Sequence, residues 1–341
     1  MATLQDVATK AGVSRVTVSK VINNYDTVSA STRNKVLRAL EELNIPVGEL
    51  KRNKESSMTV GVLMPMGRTE GGRNHFSMDI LAGAESKAFE KDYFMIIGNT
   101  GASRDREAKV VSRMLQREVD GLVLLSTSGE QYADHLDFLL KSQVPIVLID
   151  QKLQQIPAHV VRGDNFAGAM LLTEHLISLG HKDIAILTLE TIHSTYADRL
   201  NGYRMALMKS SITVPDSYTQ ILSNREASYL AAQHLLQSES KPTALFVAQP
   251  SLLPGVLKAV QSLGLRIPEQ LSIVVFDDQY ASLPEEYHRF FTTINQSAGL
   301  IGSMAMEILF QHLADPSLPY QEIVLPGALR INRSTGPAPS I

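Results

Sequence analysis

Apolar positions follow two different rhythms along the chain. In residues 4–11, LQDVATKA, the residues Leu4, Val7, Ala8 and Ala11 recur at three- and four-residue spacings, which predicts one face of a short helix. Gly12 ends it, because a tight turn needs the positive φ that glycine adopts at little cost. Ser14 is a good N-cap for a second short helix that buries Val18, Val21 and Ile22 and exposes Arg15, Val16 and Thr17 in its first turn. The run NNYD stops that helix. Ser29 caps a third, STRNKVLRALEEL, with Val36, Leu37, Leu40 and Leu43 turned inward. Two short helices about a glycine turn, braced by a third, predict a helix-turn-helix.

From residue 58 the rhythm changes. Unbroken apolar runs at 58–65, 93–98, 121–126, 145–150 and 158–164 alternate with helical patterns near 76–91, 103–118 and 130–142. A second series has runs at 183–189, 218–223, 243–248 and 271–276, with helical patterns near 165–179, 196–209, 226–238 and 250–264. Strands that are apolar throughout, alternating with helices, predict parallel sheets covered on both faces. The fold class is therefore an all-α helix-turn-helix head followed by an α/β body of two doubly wound parallel-sheet lobes. A last helix, AGLIGSMAMEILFQHL, and a strand, EIVLP, cross back between the lobes. A ligand site is expected in the cleft, at loops beyond the carboxyl ends of the strands.

Charge separates the same two regions. Residues 1–54 hold nine Lys/Arg against five acids, a net +4, whereas the whole chain of 341 residues is −3 and the remainder therefore −7. A basic head on an acidic body points to a polyanion as the partner of the head. The chain has no cysteine, which excludes disulfides, cysteine-ligated zinc, iron–sulfur clusters and thiol catalysis. The amino-terminal segment lacks the apolar core of a secretory signal, and no apolar run is long enough to span a bilayer, so a cytoplasmic location is expected.

The head, LQDVATKAGVSRVTVSKVINNYDTVSASTRNKVLRALEEL, resembles the DNA-binding domain of the LacI/GalR repressor family nearly end to end, through DVA-x-x-AGVS-x-x-TVS, an Asn ending the helix, and VS-x-x-TR-x-KV. The body carries further pieces of that pattern: VDGLVLLS, PIVLID, DN-x-x-GA, HLISLGHKDIAIL, DRLNGYRMAL, PTALFVA, GLRIPEQLSIVVFDD, FTTINQ and RINRST. The resemblance implies a periplasmic-binding-protein-like body. It divides the chain into a DNA-binding domain at 1–45, a linker at 46–57 and an effector-binding and dimerisation domain at 58–335. The lobes of that domain are expected at 58–161 with 295–322, and at 162–294 with 323–335.

Within the head, the resemblance implies that Arg15, Val16 and Lys20 read bases. Arginine can bond both acceptors of guanine, lysine can donate to the same edge without a planar fork, and valine can touch a thymine methyl. Thr3, Ser14, Thr17, Ser19, Asn23, Ser29 and Thr32 would face phosphates, positioning the head without reading sequence. The linker departs from the family pattern: Pro46 comes one position early, Gly48 replaces an asparagine, and Lys54 stands where an apolar wedge is usual. One reading is a modified hinge helix with Leu50 inserted in the minor groove and Lys51, Arg52 and Lys54 on phosphates. The other, favoured by Gly48 and the polar run KRNKESS, is a flexible basic linker without insertion.

In the body, the resemblance assigns effector contact to Arg199 in DRLNGY and to Asp277 in VVFDD, with Asp278 left to a turn. His75, Phe76 and Gln249 are expected beside them. A fork of donors on the arginine and a strand-end carboxylate suit hydroxyls or an acid group. Two departures alter the picture: Gln249-Pro250 replaces the usual Asn-Asp, and the loop 65–80 is longer than usual and brings Arg68, Arg73 and His75. Those cations admit a sugar acid or sugar phosphate as well as a sugar. A surface arginine paired with Asp198 is the competing reading of Arg199. His175 and His181 stand six apart, a spacing that does not share a helix face, so no metal site is expected, nor any cofactor. No phosphate-binding glycine loop, nucleophile elbow or catalytic carboxylate pair is visible, so the chain is not expected to be an enzyme. The expected function is a repressor of carbohydrate-metabolism genes, binding operator DNA as a homodimer under control of a small effector. A tetramer is less expected, for want of a carboxy-terminal leucine heptad. The alternatives are a solute-binding or sensor protein without a DNA role, and a family regulator answering a protein corepressor.

Overall fold

The protein is described by a computed structural model that covers residues 4–22, 28–43, 45, 56–66, 75–101, 103–126, 134–153, 155–190, 193–277, 287 and 289–339. It forms two units, residues 1–57 and 58–341. In the first, α1 (Leu4–Ala11), α2 (Arg15–Ile22) and α3 (Ala30–Glu42) enclose a small core of Val7, Ala8, Val18, Val21, Ile22, Val36, Ala39 and Leu40. Gly12 makes the turn at φ +66°. Both expected caps form: Ser14 Oγ accepts from the Thr17 amide at 3.1 Å, and Ser29 Oγ from the Thr32 amide at 3.3 Å. Leu37, expected inward, is exposed. The inward row is Val36, Ala39, Leu40 and Leu43, and Leu37 lies a further 100° or so round the helix. Linker residues Leu50, Lys51, Arg52 and Lys54 lie outside the described residues.

The second unit contains two six-stranded sheets. The first is built from β1 (Thr59–Met64), β2 (Phe94–Asn99), β3 (Gly121–Leu124), β4 (Ile146–Ile149), β5 (His159–Gly163) and β11 (Glu322–Leu325), in the order β11-β5-β4-β3-β1-β2. Its helices are α4 (His75–Glu90), α5 (Arg104–Gln116) and α10 (Ala298–Ala314). The second sheet has β6 (Ile184–Leu189), β7 (Thr219–Leu222), β8 (Ala244–Val247), β9 (Ser272–Phe276), β10 (Thr292–Asn295) and β12 (Ala328–Arg330), in the order β12-β10-β9-β8-β6-β7. Its helices are α6 (Asn165–Ser178), α7 (Ser194–Lys209), α8 (Ser228–Gln237) and α9 (Leu253–Ser262). All pairings are parallel except β10 with β12. The inner strands β3, β4, β8 and β9 are buried along their whole length, as their unbroken apolar runs require.

Three differences from the expected organisation are physical. The segment near 130–142 is a 3₁₀ stretch, Asp134–Lys141, rather than an α-helix. Strand β10 is short and rich in hydroxyl and polar residues, TTIN, and β12 has only three residues, ALR, so no apolar run announces either. Residues 323–325 belong to the first lobe, not the second, because β11 pairs with β5 from Glu322↔Val160 to Leu325↔Gly163. The chain thus passes between lobes after β5, after β10 and between β11 and β12.

Candidate functional site

In the head, α2 presents Arg15 and Val16 from its first turn and Lys20 from its last turn to solvent. Val16 is 64% exposed, an unusual position for a large aliphatic side chain in so small a unit. Val16 and Lys20 are one helical turn apart and share a face with Arg15 at its edge. Around them stand paired hydroxyls, Ser14 with Thr17 at 2.8 Å and Ser29 with Thr32 at 2.9 Å. These are acceptors and donors held at helix amino termini, where the peptide dipoles favour an anion. Thr3 and Asn23 lie outside the described residues, as does the side chain of Ser19.

In the body, two carboxylates occupy equivalent places. Asp150 follows β4 and Asp277 follows β9, strands that hold the same position in their respective sheets, and both adopt φ +68°. Aspartate tolerates this left-handed conformation better than most residues. Arg199, on α7, reaches the second carboxylate: Nη2 donates to Asp277 Oδ2 at 3.2 Å. Its Nε donates to Asn165 Oδ1 at 2.8 Å and its Nη1 to the Ala248 carbonyl at 2.6 Å. The guanidinium lies 3.9 Å above the centre of the Phe276 ring. Asp277 Oδ1 in turn accepts from Gln296 Nε2 at 2.7 Å. Arg199 is only 5% exposed, which discards the surface pairing with Asp198. Asp198 instead accepts from Arg162 at 3.0 Å.

Asp150 was not singled out in the sequence, although its position at the end of PIVLID parallels that of Asp277 at the end of SIVVF. Its Oδ1 is buried without a hydrogen-bond partner among the described residues. Burial, and to a lesser degree the neighbouring Asp277 charge, push its carboxyl up to about 6, against the pull of Arg199. Tyr196, one turn before Arg199, feels the charges of Arg199, Asp150 and Asp277, and burial raises its hydroxyl above the usual phenol range. The next residue, Gln151, bridges the lobes, with Oε1 2.8 Å from His193 Nδ1.

The remaining expected residues divide. Gln249 is buried but faces its own lobe: Oε1 accepts from the Leu189 amide at 3.1 Å and Nε2 donates to Thr188 Oγ1 at 3.2 Å. Both its polar ends serve the end of β6, and it does not join the Arg199–Asp277 pair. Phe76 is half-buried against the core of the first sheet. The side chain of His75 lies outside the described residues, with Arg68, Arg73 and Asp278. His175 contacts Thr335 Oγ1 at 3.0 Å, and His181 contacts Thr243, Ser272 and the Gly336 carbonyl. These bonds tie the carboxy-terminal segment to the second lobe.

Comparison with known proteins agrees with this arrangement. Residues 3–45 match the model for bacterial regulatory proteins of the lacI family, and residues 173–335 that for a periplasmic binding protein-like domain. The ribose operon repressor of Haemophilus influenzae is 32% identical, over 95% of this chain and 96% of its own. Catabolite control protein A of Priestia megaterium is also 32% identical, over 98% and 99%. Among solved structures, the regulator CelR with cellobiose superposes with a TM-score of 0.69 at 25% identity, covering 98% of this chain and all of that one. The lac repressor dimer bound to operator and the anti-inducer ONPF gives 0.67 at 26%, covering 98% and 99%. A basic helix-turn-helix head and a two-lobed body with an arginine–carboxylate pair, matched along nearly their whole length by repressors, make this chain a member of the LacI family of bacterial transcriptional regulators.

Proposed function

We propose that this regulator represses carbohydrate genes by binding a pseudopalindromic operator as a dimer, and that a neutral, hydroxyl-bearing small molecule in the cleft sets its operator affinity. The observation that carries the ligand class is the charge around Arg199. One buried guanidinium faces two carboxylates, Asp150 and Asp277, and Asp150 has an oxygen without a described partner. Hydroxyl donors satisfy such acceptors, whereas a phosphate or carboxylate would add a third negative charge. Sugar-bound relatives, one with cellobiose and one with ribose, support the same class. Arg15, Val16 and Lys20 are proposed to read bases, and the paired hydroxyls to hold phosphates. No catalytic step is assigned to the cleft, and the site of action is the cytoplasm, where the operator lies.

The dimer is proposed to form along β2 and its neighbours. Phe89, Phe94 and Ile97 are exposed, and Phe94 is 78% open on the edge strand of the first sheet. A bare apolar edge of this kind is a pairing surface unless covered. The lac repressor structure named above is a dimer.

A thermal-shift screen of sugars, sugar acids and sugar phosphates tests the ligand class. Neutral sugars or polyols should raise the melting temperature of the full chain, and Asp277→Ala should abolish the rise. Stabilisation by phosphorylated or acidic compounds alone would contradict the proposal.

A further inference from the structure

The Arg199–Asp277 pair is connected to the strands that join the lobes. Arg199 Nε donates to Asn165 Oδ1 at 2.8 Å, and Asn165 Nδ2 donates at 3.1 Å to the carbonyl of Gly163, the last residue of β5 at the first passage between lobes. On the other side, Asp277 Oδ1 accepts from Gln296 Nε2 at 2.7 Å, and Gln296 directly follows β10 at the second passage. Gln296 also closes on Gly163: a β-carbon at that glycine would lie 1.8 Å from Gln296 Oε1. An open circuit of hydrogen bonds therefore runs from Gly163 through Asn165, Arg199 and Asp277 to Gln296, whose Oε1 packs against Gly163 without a hydrogen-bond partner among the described residues.

A second tether starts from the neighbouring residue of α7. Asp198 accepts from Arg162 Nη1 at 3.0 Å, and Arg162 Nε donates to Glu322 Oε1 on β11 at 2.6 Å, ahead of the third passage. Asn165, Arg199, Gln296 and Asp277 are all less than a tenth exposed. Hydrogen bonds in such surroundings are strong, and breaking one leaves a costly unpaired group, so the circuit changes as a unit.

We infer that Asn165 and Gln296 are positioning residues that transmit the state of the Arg199–Asp277 pair to two of the crossing strands and so set the angle between the lobes. This rests on the reading of that pair as the effector contact. A ligand oxygen that takes a donor from Arg199 or an acceptor from Asp277 competes with Asn165 or Gln296. Those side chains can yield only if Gly163 or the β10 end moves with them. That gives the ligand different interaction energies in two lobe arrangements, the condition for it to shift their populations.

The chain has no native cysteine. Arg117→Cys, at the end of α5, and Lys241→Cys, just before β8, are both exposed positions at the outer ends of the lobes. They accept a donor and an acceptor dye. Labelled full-length chain is mixed with excess unlabelled chain so that each dimer carries one labelled protomer, and inter-lobe energy transfer is recorded molecule by molecule without added ligand. Arg199→Met, Gln296→Leu and Asn165→Ala should each shift the transfer-efficiency distribution from that of the parent, in the same sense. The Arg199→Met/Gln296→Leu double variant should shift it no further than the larger single, because both break one circuit. Asn165→Asp keeps an acceptor toward Arg199 but loses the donor to Gly163, and should shift it too. If Arg199→Met does not fold, Arg199→Lys replaces it, keeping a charge for Asp277 without the fork that reaches Asn165. The inference is overturned if the Asn165 and Gln296 variants lower the melting temperature but keep the parent distribution, or if the double shift is the sum of the singles. No effector is present, so the result stands apart from the effector assignment, which fails separately if Arg199→Ala still responds to ligand.

Discussion

At the scale of single residues, the cleft is governed by one arginine between two strand-end carboxylates. Asp150 has the more telling titration. Its folded carboxyl, at about 6, is above the ordinary aspartate value, so burial favours its protonated form. The stability this residue contributes is therefore fully present below about pH 4 and is lost as pH rises through about 6, amounting to at most about 3 kcal/mol. Asp150→Asn, which cannot ionise, should gain melting temperature relative to the parent chain as pH goes from about 4 to about 7.5. A gap between the two melting curves that stays constant over that range would show that Asp150 is not buried as an acid. In the head, Arg15→Ala and Lys20→Ala should each cost about 1–3 kcal/mol on the selected operator and little on unrelated duplex. Equal losses on both DNAs would mark them as phosphate contacts.

At the scale of elements, the head and the strand–helix alternation were legible because their apolar spacings are regular and their caps, Gly12, Ser14 and Ser29, are residues whose local chemistry dictates the break. Strands β10 and β12 were not, since TTIN and ALR lack the apolar run that marks an inner strand. Arg199 and Asp277 were found through motif resemblance, but the sequence could not show that they bond each other, nor that Asp198 turns away to Arg162. Asp150 was hidden inside a strand motif. For Gln249 the sequence says nothing of which way its amide faces; in the structure its Oε1 accepts from the Leu189 amide at the end of β6. The edge strand β2 was predicted only as a strand. Its exposed face makes a testable element: Phe94→Glu should raise the dimer dissociation constant by about tenfold or more, read by sedimentation, as burying a charge in an apolar interface requires. An unchanged dissociation constant would move the interface elsewhere.

At the scale of the whole molecule, charge and architecture assign different tasks to different parts. The first 54 residues carry +4 and the rest −7, so the attraction to DNA is concentrated in the head. The body supplies a ligand cleft whose charged pair is bonded to the strands linking its lobes. Two heads in one dimer gain affinity through effective concentration, so a change in body geometry is enough to weaken operator binding. The most direct test is a fluorescence-anisotropy titration of the full chain on a duplex selected from random sequence. It is done with and without the sugar or polyol that most stabilises the protein, at fixed salt. Selected DNA should be bound at least about 10³-fold more tightly than scrambled duplex. The ligand should change that affinity by roughly 5-fold or more in the parent chain and not at all in Asp277→Ala. Equal affinity for selected and scrambled DNA, or an operator affinity indifferent to a ligand that demonstrably binds, would contradict the account.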